Sequence, residues 1–183
     1  MQVTTASEEH YARIADICVD AYDSAGYFAG WGEDPHVDTD GYAVELRDVA
    51  GRAAEGIVLV ALDDDVVVGT LSIARPGTAH AEIARPGEYE LRMLAVAAGH
   101  RGRGIAGALL DAAAEHAREA GARSLVLMSI EPPEAVQRRY ASRGYVRDPA
   151  RDTHWDEAAV ARGEVTPYPV WRLDLTGAAP AGG

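Results

Sequence analysis

The sequence predicts an α/β domain, and three observations carry that prediction. Two β-branched runs, 57–62 and 66–73, flank Asp63-Asp64-Asp65 in the pattern of a hairpin. An apolar strand ending in Leu94-Ala95-Val96 leads through a glycine-rich loop into a strong helical pattern. The 183 residues, 48 % hydrophobic and 25 % charged, suffice for one domain with a real core.

Composition excludes several classes. The net charge is −12, which argues against a nucleic-acid partner and against anionic membranes. It leaves open either simple solubility or attraction of a cationic partner. Every non-histidine basic residue is arginine, so a phosphate loop ending in Gly-Lys-Ser/Thr and a Schiff-base lysine are excluded. Cys18 stands alone, without a partner for an internal disulfide or a multi-cysteine metal site, and no metal is expected. No apolar run approaches the ~20 residues of a membrane span. The first residues lack a signal-peptide pattern, so a cytoplasmic location is expected.

Residues 3–5 read as a first strand. Ser7 reads as an N-cap with Glu8 and Glu9 in the favourable first turn. Ile14, Ile17, Cys18 and Ala21 fall at helical spacing, so Cys18 reads as core. Periodicity disappears over 23–40, where Tyr27, Phe28 and Trp31 accompany Glu33, Asp34 and Asp38. That stretch is either one wall of a pocket or a cover over the core. A second helix is expected over 42–52, with Gly51 near its end. The three aspartates of the hairpin read as turn chemistry rather than a calcium loop. Two Arg-Pro-Gly copies mark turns in 75–87.

Residues 88–96 read as a long strand. Alternation puts Glu88, Glu90 and Arg92 on one face with Leu94 and Val96. Tyr89, Leu91, Met93 and Ala95 take the other. The helix after the loop spans 104–120, with Ile105, Leu109, Ala112, Ala113 and His116 on one stripe and Gly121 as its stop. A strand at 124–130 comes next, then a helix opened by Pro132-Pro133 and stopped by Gly144. A strand beginning at 145, a polar connection over 147–169, and a last strand at 170–175 complete the domain, 1–175. Residues 176–183 read as a flexible tail.

The loop invites an anion. Gly102 and Gly104 let a ligand approach the backbone, and the next helix leaves its first N–H groups unpaired at its positive end. Arg101 and Arg103 add charge. Gly102-Arg103-Gly104-Ile105-Ala106-Gly107 even spells the dinucleotide fingerprint. Several residues separate Val96 from Gly102, however, and too little α/β alternation comes after it, which rejects that reading.

Arg101-Gly102-Arg103-Gly104-Ile105-Ala106 resembles instead the coenzyme A loop of the GNAT N-acetyltransferase superfamily. Leu94-Ala95-Val96 before it resembles that family's central strand. Residues 135–145, ending Tyr140-Ala141-Ser142-Arg143-Gly144-Tyr145, resemble its closing signature. The resemblance implies a single-domain fold with a mixed, mostly antiparallel sheet of six to seven strands and about four helices. A splayed strand pair near Val96 would hold acetyl-coenzyme A. Backbone groups of Leu94 and Val96 would bind the pantetheine arm as a pseudo-strand. The N–H groups from Arg101 through Gly102, Arg103, Gly104 and Ile105 to Ala106 would take the diphosphate, the backbone mattering more than the arginine side chains. Backbone N–H near Leu94 or Ala95 would hold the oxyanion.

The implied reaction is acetyl transfer to a primary amine, most simply a small molecule. A protein or peptide amine and a non-catalytic acyl-coenzyme A sensor are the alternatives. Tyr140 matches the family's acid, four residues before Gly144. Glu90 matches the base of some members, and the nearby Glu88 would raise one of the two pKa values; its other reading is a strand-surface charge. Trp31, Tyr89 and Trp155 are candidate pocket walls. Two departures stand out. Pro133 occupies the place where many members carry a coenzyme A-binding asparagine. Leu127-Met128-Ser129 lacks a glutamate frequent in enzymes that modify protein N-termini. A homodimer is implied by the resemblance alone.

Overall fold

The computed structural model describes all residues except 27, 29–37, 130–133, 155, 165 and 178–183, and omits the side chains of 135 and 136. The expected pocket walls Trp31 and Trp155, Pro133 and most of the expected tail fall outside the described residues. Seven strands and six helices are described: β1 Gln2–Thr5, α1 Glu8–Ser24, α2 Thr39–Arg47, α3 Val49–Glu55, β2 Gly56–Asp63, β3 Val66–Ala74, β4 Glu88–Val96, α4 Ile105–Glu119, β5 Ser124–Met128, α5 Glu134–Ala141, β6 Val146–Arg147, α6 Glu157–Arg162 and β7 Val170–Asp174. Short 3-10 turns occur at Ala98–His100 and Pro149–Arg151.

The chain divides into two units, Met1–Ala74 with Arg92–Ala113, and Arg75–Leu91 with Ala114–Gly183. In the first the strand order is β1-β2-β3-β4; in the second it is β4-β5-β7-β6. β4 contributes its first four residues to the second unit and its last five to the first. The sheet is therefore seven-stranded, mixed and mostly antiparallel, as expected, with β4 and β5 parallel.

In the first unit, Ser7 caps α1: its N–H donates to His10 Nδ1 at 3.0 Å. Ile14, Ile17 and Cys18 face a core with Leu46, Val49, Val58, Val60, Met93 and Ala95. The hairpin turn sits at Asp64 and Asp65, both at positive φ, 49° and 62°. Asp63 pairs Val66 across it, which makes a two-residue loop of the type that matches strand twist.

The single helix expected over 42–52 is two helices. Asp48 leaves helical geometry at ψ 63° and caps the second by accepting the Gly51 N–H at 2.9 Å. Gly51 is thus no stop; a Cβ there would collide with the Asp48 carboxylate. Arg52, 3 % exposed, then donates to Ser72 Oγ at 2.7 Å and Leu46 O at 2.9 Å. A buried guanidinium so satisfied anchors the break.

In the second unit β5, β7 and β6 form an antiparallel ladder over Leu125, Val126, Tyr145, Val170, Trp171 and Leu173, all buried. The polar connection expected at 147–169 holds a helix, α6. Asp156 caps it by accepting the Ala159 N–H at 2.7 Å, and Gly163 ends it at φ 74°. Residues 75–87 contain neither helix nor strand, as the Arg-Pro-Gly turns predict.

Candidate active site

β4, with the loop and helix after it, frames the candidate site. β4 pairs with β5 at Glu88↔Ser124, Tyr89↔Leu125 and Glu90↔Val126. β4 itself runs on to Val96. Met93 interrupts the alternation: its φ is +55°, a left-handed conformation that a non-glycine side chain rarely takes. The face assignment read from alternation therefore does not run unbroken through Met93. Ala95 is buried, while Leu94 and Val96 are half-buried.

After Val96 the Ala97 N–H donates to Val68 O at 3.0 Å and the first 3-10 turn begins. Gly102 and Gly104 lie at φ 80° and 82°, with nothing within 4 Å of where a Cβ would sit. The space over this backbone is open. α4 begins at Ile105, so the N–H groups of its first turn have no intrahelical partners. Gly69 on β3 sets the helix close: a Cβ there would meet Ile105 Cγ2 at 2.8 Å. An open glycine backbone at a helix N-terminus fits a diphosphate.

Both loop arginines are held sideways. Arg101 donates to Ser24 Oγ at 3.0 Å, and Arg103 pairs with Asp63 Oδ2 at 2.9 Å. Asp63 also lies 3.8 Å from the Met1 ammonium. The buried stripe of α4 is Ile105, Leu109, Leu110, Ala113, Ala114 and Ala117; Ala112 and His116, expected on it, are only half-buried.

Glu90 and Tyr140 both belong to the second unit, the loop to the first. Glu90 is 0 % exposed, and its Oε2 accepts backbone N–H bonds from Glu82, Ile83 and Ala84 at 2.8, 2.7 and 3.2 Å. It is not a strand-surface charge. Glu88 does not show the upward shift expected of a carboxylate pair. Burial pushes its pKa up, but the hydrogen bond from Arg151, the Arg85 N–H and the charges of Arg151 and Arg172 together bring it below its ordinary value.

Tyr140 is 7 % exposed near the end of α5, its ring tilted against Tyr145 at 5.8 Å and Trp171 at 5.7 Å. Tyr89 is half-buried on β4. Sequence reasoning missed Gly69, Asp63 and Arg151. It also missed a polar cluster in the first unit, where Arg92 pairs with Glu45 at 3.1 Å and the Tyr22 and Tyr42 hydroxyls lie 3.4 Å apart. Burial pushes the Tyr22 hydroxyl pKa well up, keeping it neutral. Only contacts between distant segments define these roles, and no motif signals them. No group of metal-ligating side chains occurs among the described residues. No described helix is long and apolar enough to cross a membrane.

Comparison with known proteins places this geometry. Residues 18–145 match the model of the acetyltransferase (GNAT) family. A search of curated proteins finds no match. Among solved structures, a GNAT-family acetyltransferase from Staphylococcus aureus Mu50 shares the fold at TM-score 0.67 and 14 % identity, over 96 % of this chain and 99 % of that one. A structure described as histone acetyltransferase HPA2 and related acetyltransferase, from Corynebacterium glutamicum, gives 0.66 and 21 %, over 99 % and 98 %. A putative acetyltransferase from Salmonella typhimurium, solved with acetyl-CoA, gives 0.62 and 21 %, over 100 % and 98 %. With the family model covering well over half the sequence, the chain belongs to the acetyltransferase (GNAT) family.

Proposed function

We propose that the protein transfers an acetyl group from acetyl-CoA to the primary amine of a small molecule, by direct attack with both substrates bound. The observation that carries this reading is the open backbone at Gly102 and Gly104 leading into α4. The Salmonella neighbour and one from Brucella melitensis were solved with acetyl-CoA, which supports that cosubstrate here. Bound acetyl-CoA supplies an activated thioester carbonyl.

The chain's own groups do the rest. Leu94 and Val96 offer backbone donors and acceptors to an extended amide-bearing arm, and an N–H near Leu94 or Ala95 steadies the oxyanion. The N–H groups from Arg101 to Ala106 take the diphosphate. Tyr140 gives its hydroxyl proton to the departing thiolate. The amine loses its proton to water. Tyr89, Trp31 and Trp155 are proposed as walls for the acceptor. The free, buried Cys18 suits a reducing cytoplasm. A homodimer is checked by sedimentation.

Tyr140→Phe tests the core of the reading. Turnover is expected to fall at least about tenfold, with acetyl-CoA affinity by calorimetry nearly unchanged. Unchanged turnover would remove Tyr140 from the chemistry. Tight acetyl-CoA binding with silence across a panel of small amines would favour a peptide acceptor or a sensor.

A further inference from the structure

The 82–85 turn has neither helix nor strand, yet side chains hold its backbone at five points. Glu90 Oε2 takes the N–H groups of Glu82, Ile83 and Ala84. Glu88 Oε2 takes that of Arg85 at 3.0 Å. Arg151 Nη2 donates to Ile83 O at 2.6 Å. The same guanidinium closes on Glu88, with Nη1–Oε1 at 3.0 Å and Nη2–Oε2 at 2.9 Å. These side chains are 8 % exposed for Arg151 and 13 % for Glu88. Arg172 Nε stands 3.9 Å from Glu88 on the β7 side. Two carboxylates of one strand thus grip one connecting segment, and an arginine of the Pro149–Arg151 turn ties in a second.

We propose that Glu90 is a positioning residue rather than the proton acceptor. With Glu88 and Arg151 it locks the 82–85 and 149–151 segments to the strand that carries Tyr89, a proposed wall for the amine. The proposal rests on the function given above. Three converging N–H donors form a nest that suits an anion and fix Oε2 in place. A group that must gain and lose a proton each turnover is poorly served by such a grip. A group that must hold a segment still is well served by it. The carbonyl of glutamine keeps an uncharged acceptor at this place, whereas alanine removes the acceptor of three part-buried donors.

The experiment compares Glu90→Gln, Glu90→Ala and Arg151→Met for kcat, both KM values and the pH profile of kcat/KM. Glu90→Gln is expected to stay within about threefold in kcat and acceptor KM, with its pH profile unchanged. Glu90→Ala is expected to raise acceptor KM at least about tenfold while acetyl-CoA affinity moves less than about twofold. Arg151→Met, which breaks the second tie, is expected to raise acceptor KM in the same sense and keeps the test alive if Glu90→Ala does not fold; an unchanged value would overturn the wall. A Glu90→Gln variant as impaired in kcat as Glu90→Ala, with the acidic limb of the profile gone, would overturn the positioning role. Amide NMR resonances of Glu82, Ile83 and Ala84 give a readout independent of turnover. They should move in both variants, and further in Glu90→Ala than in Glu90→Gln. Movement in neither variant would overturn the grip, whereas an enzyme that acetylates no amine would overturn the proposed function and leave this comparison standing.

Discussion

Gly104 and Arg103 are adjacent and predict opposite sensitivities. The glycine keeps the backbone at φ 82° under open space, while the guanidinium already has Asp63 as partner. Gly104→Glu forces a side chain and a like charge into the phosphate position, and calorimetry should detect no acetyl-CoA binding. Arg103→Ala should weaken binding by no more than about fivefold, since an exposed charge near a helix end is worth ~0.3–1 kcal/mol. A second residue-scale expectation concerns acid. The folded pKa of Glu88 lies below its ordinary value of 4.5, so its contribution to stability is present above that value and lost as pH falls through the lower folded one. Denaturant unfolding between about pH 5 and pH 3 should show wild type losing stability more steeply than Glu88→Gln. The sequence made the loop glycines, Glu90 and Tyr140 legible as candidates because they stand at fixed spacings in a motif. Arg151 and the 82–84 amides were illegible: they meet Glu88 and Glu90 through tertiary contacts that no local spacing encodes.

At the scale of elements, long periodic segments were legible and breaks were not. The boundaries of β4 follow its residues, and α1 and α4 follow their apolar stripes. Asp48 hid the division between α2 and α3, because an aspartate inside a helical pattern reads as a surface residue until its carboxylate is seen capping Gly51. α6 hid because six residues carry too little periodicity to stand out from polar sequence. Its cap, Asp156, and its stop, Gly163, were the available signals. The hairpin between β2 and β3 is the place where an element can be improved. Asp64 and Asp65 occupy a turn with both central residues at positive φ, which Asn-Gly suits better. The pair Asp64→Asn with Asp65→Gly is expected to stabilise the fold by about 0.5–1 kcal/mol, raising Tm by about 1–4 °C in a melt.

For the whole molecule the governing quantity is charge. A chain of net charge −12 repels an anionic cosubstrate at long range and attracts a cationic acceptor. Raising salt from about 20 to 200 mM shortens the Debye length severalfold. The KM for acetyl-CoA is expected to fall by about twofold and that of a cationic amine to rise. A rise in both would mean that the arginines beside the loop outweigh the rest of the chain. The interior position of Cys18 has a stoichiometric consequence. It is the only thiol in the sequence, it is 0 % exposed, and burial raises its pKa despite the opposing influence of Arg52. The folded enzyme therefore contributes nothing to a thiol-colour assay, and each equivalent of sulfhydryl released during turnover counts one acetyl transferred. Each molecule that unfolds adds one equivalent of its own, so a drifting baseline in that same cuvette is a direct census of denatured enzyme.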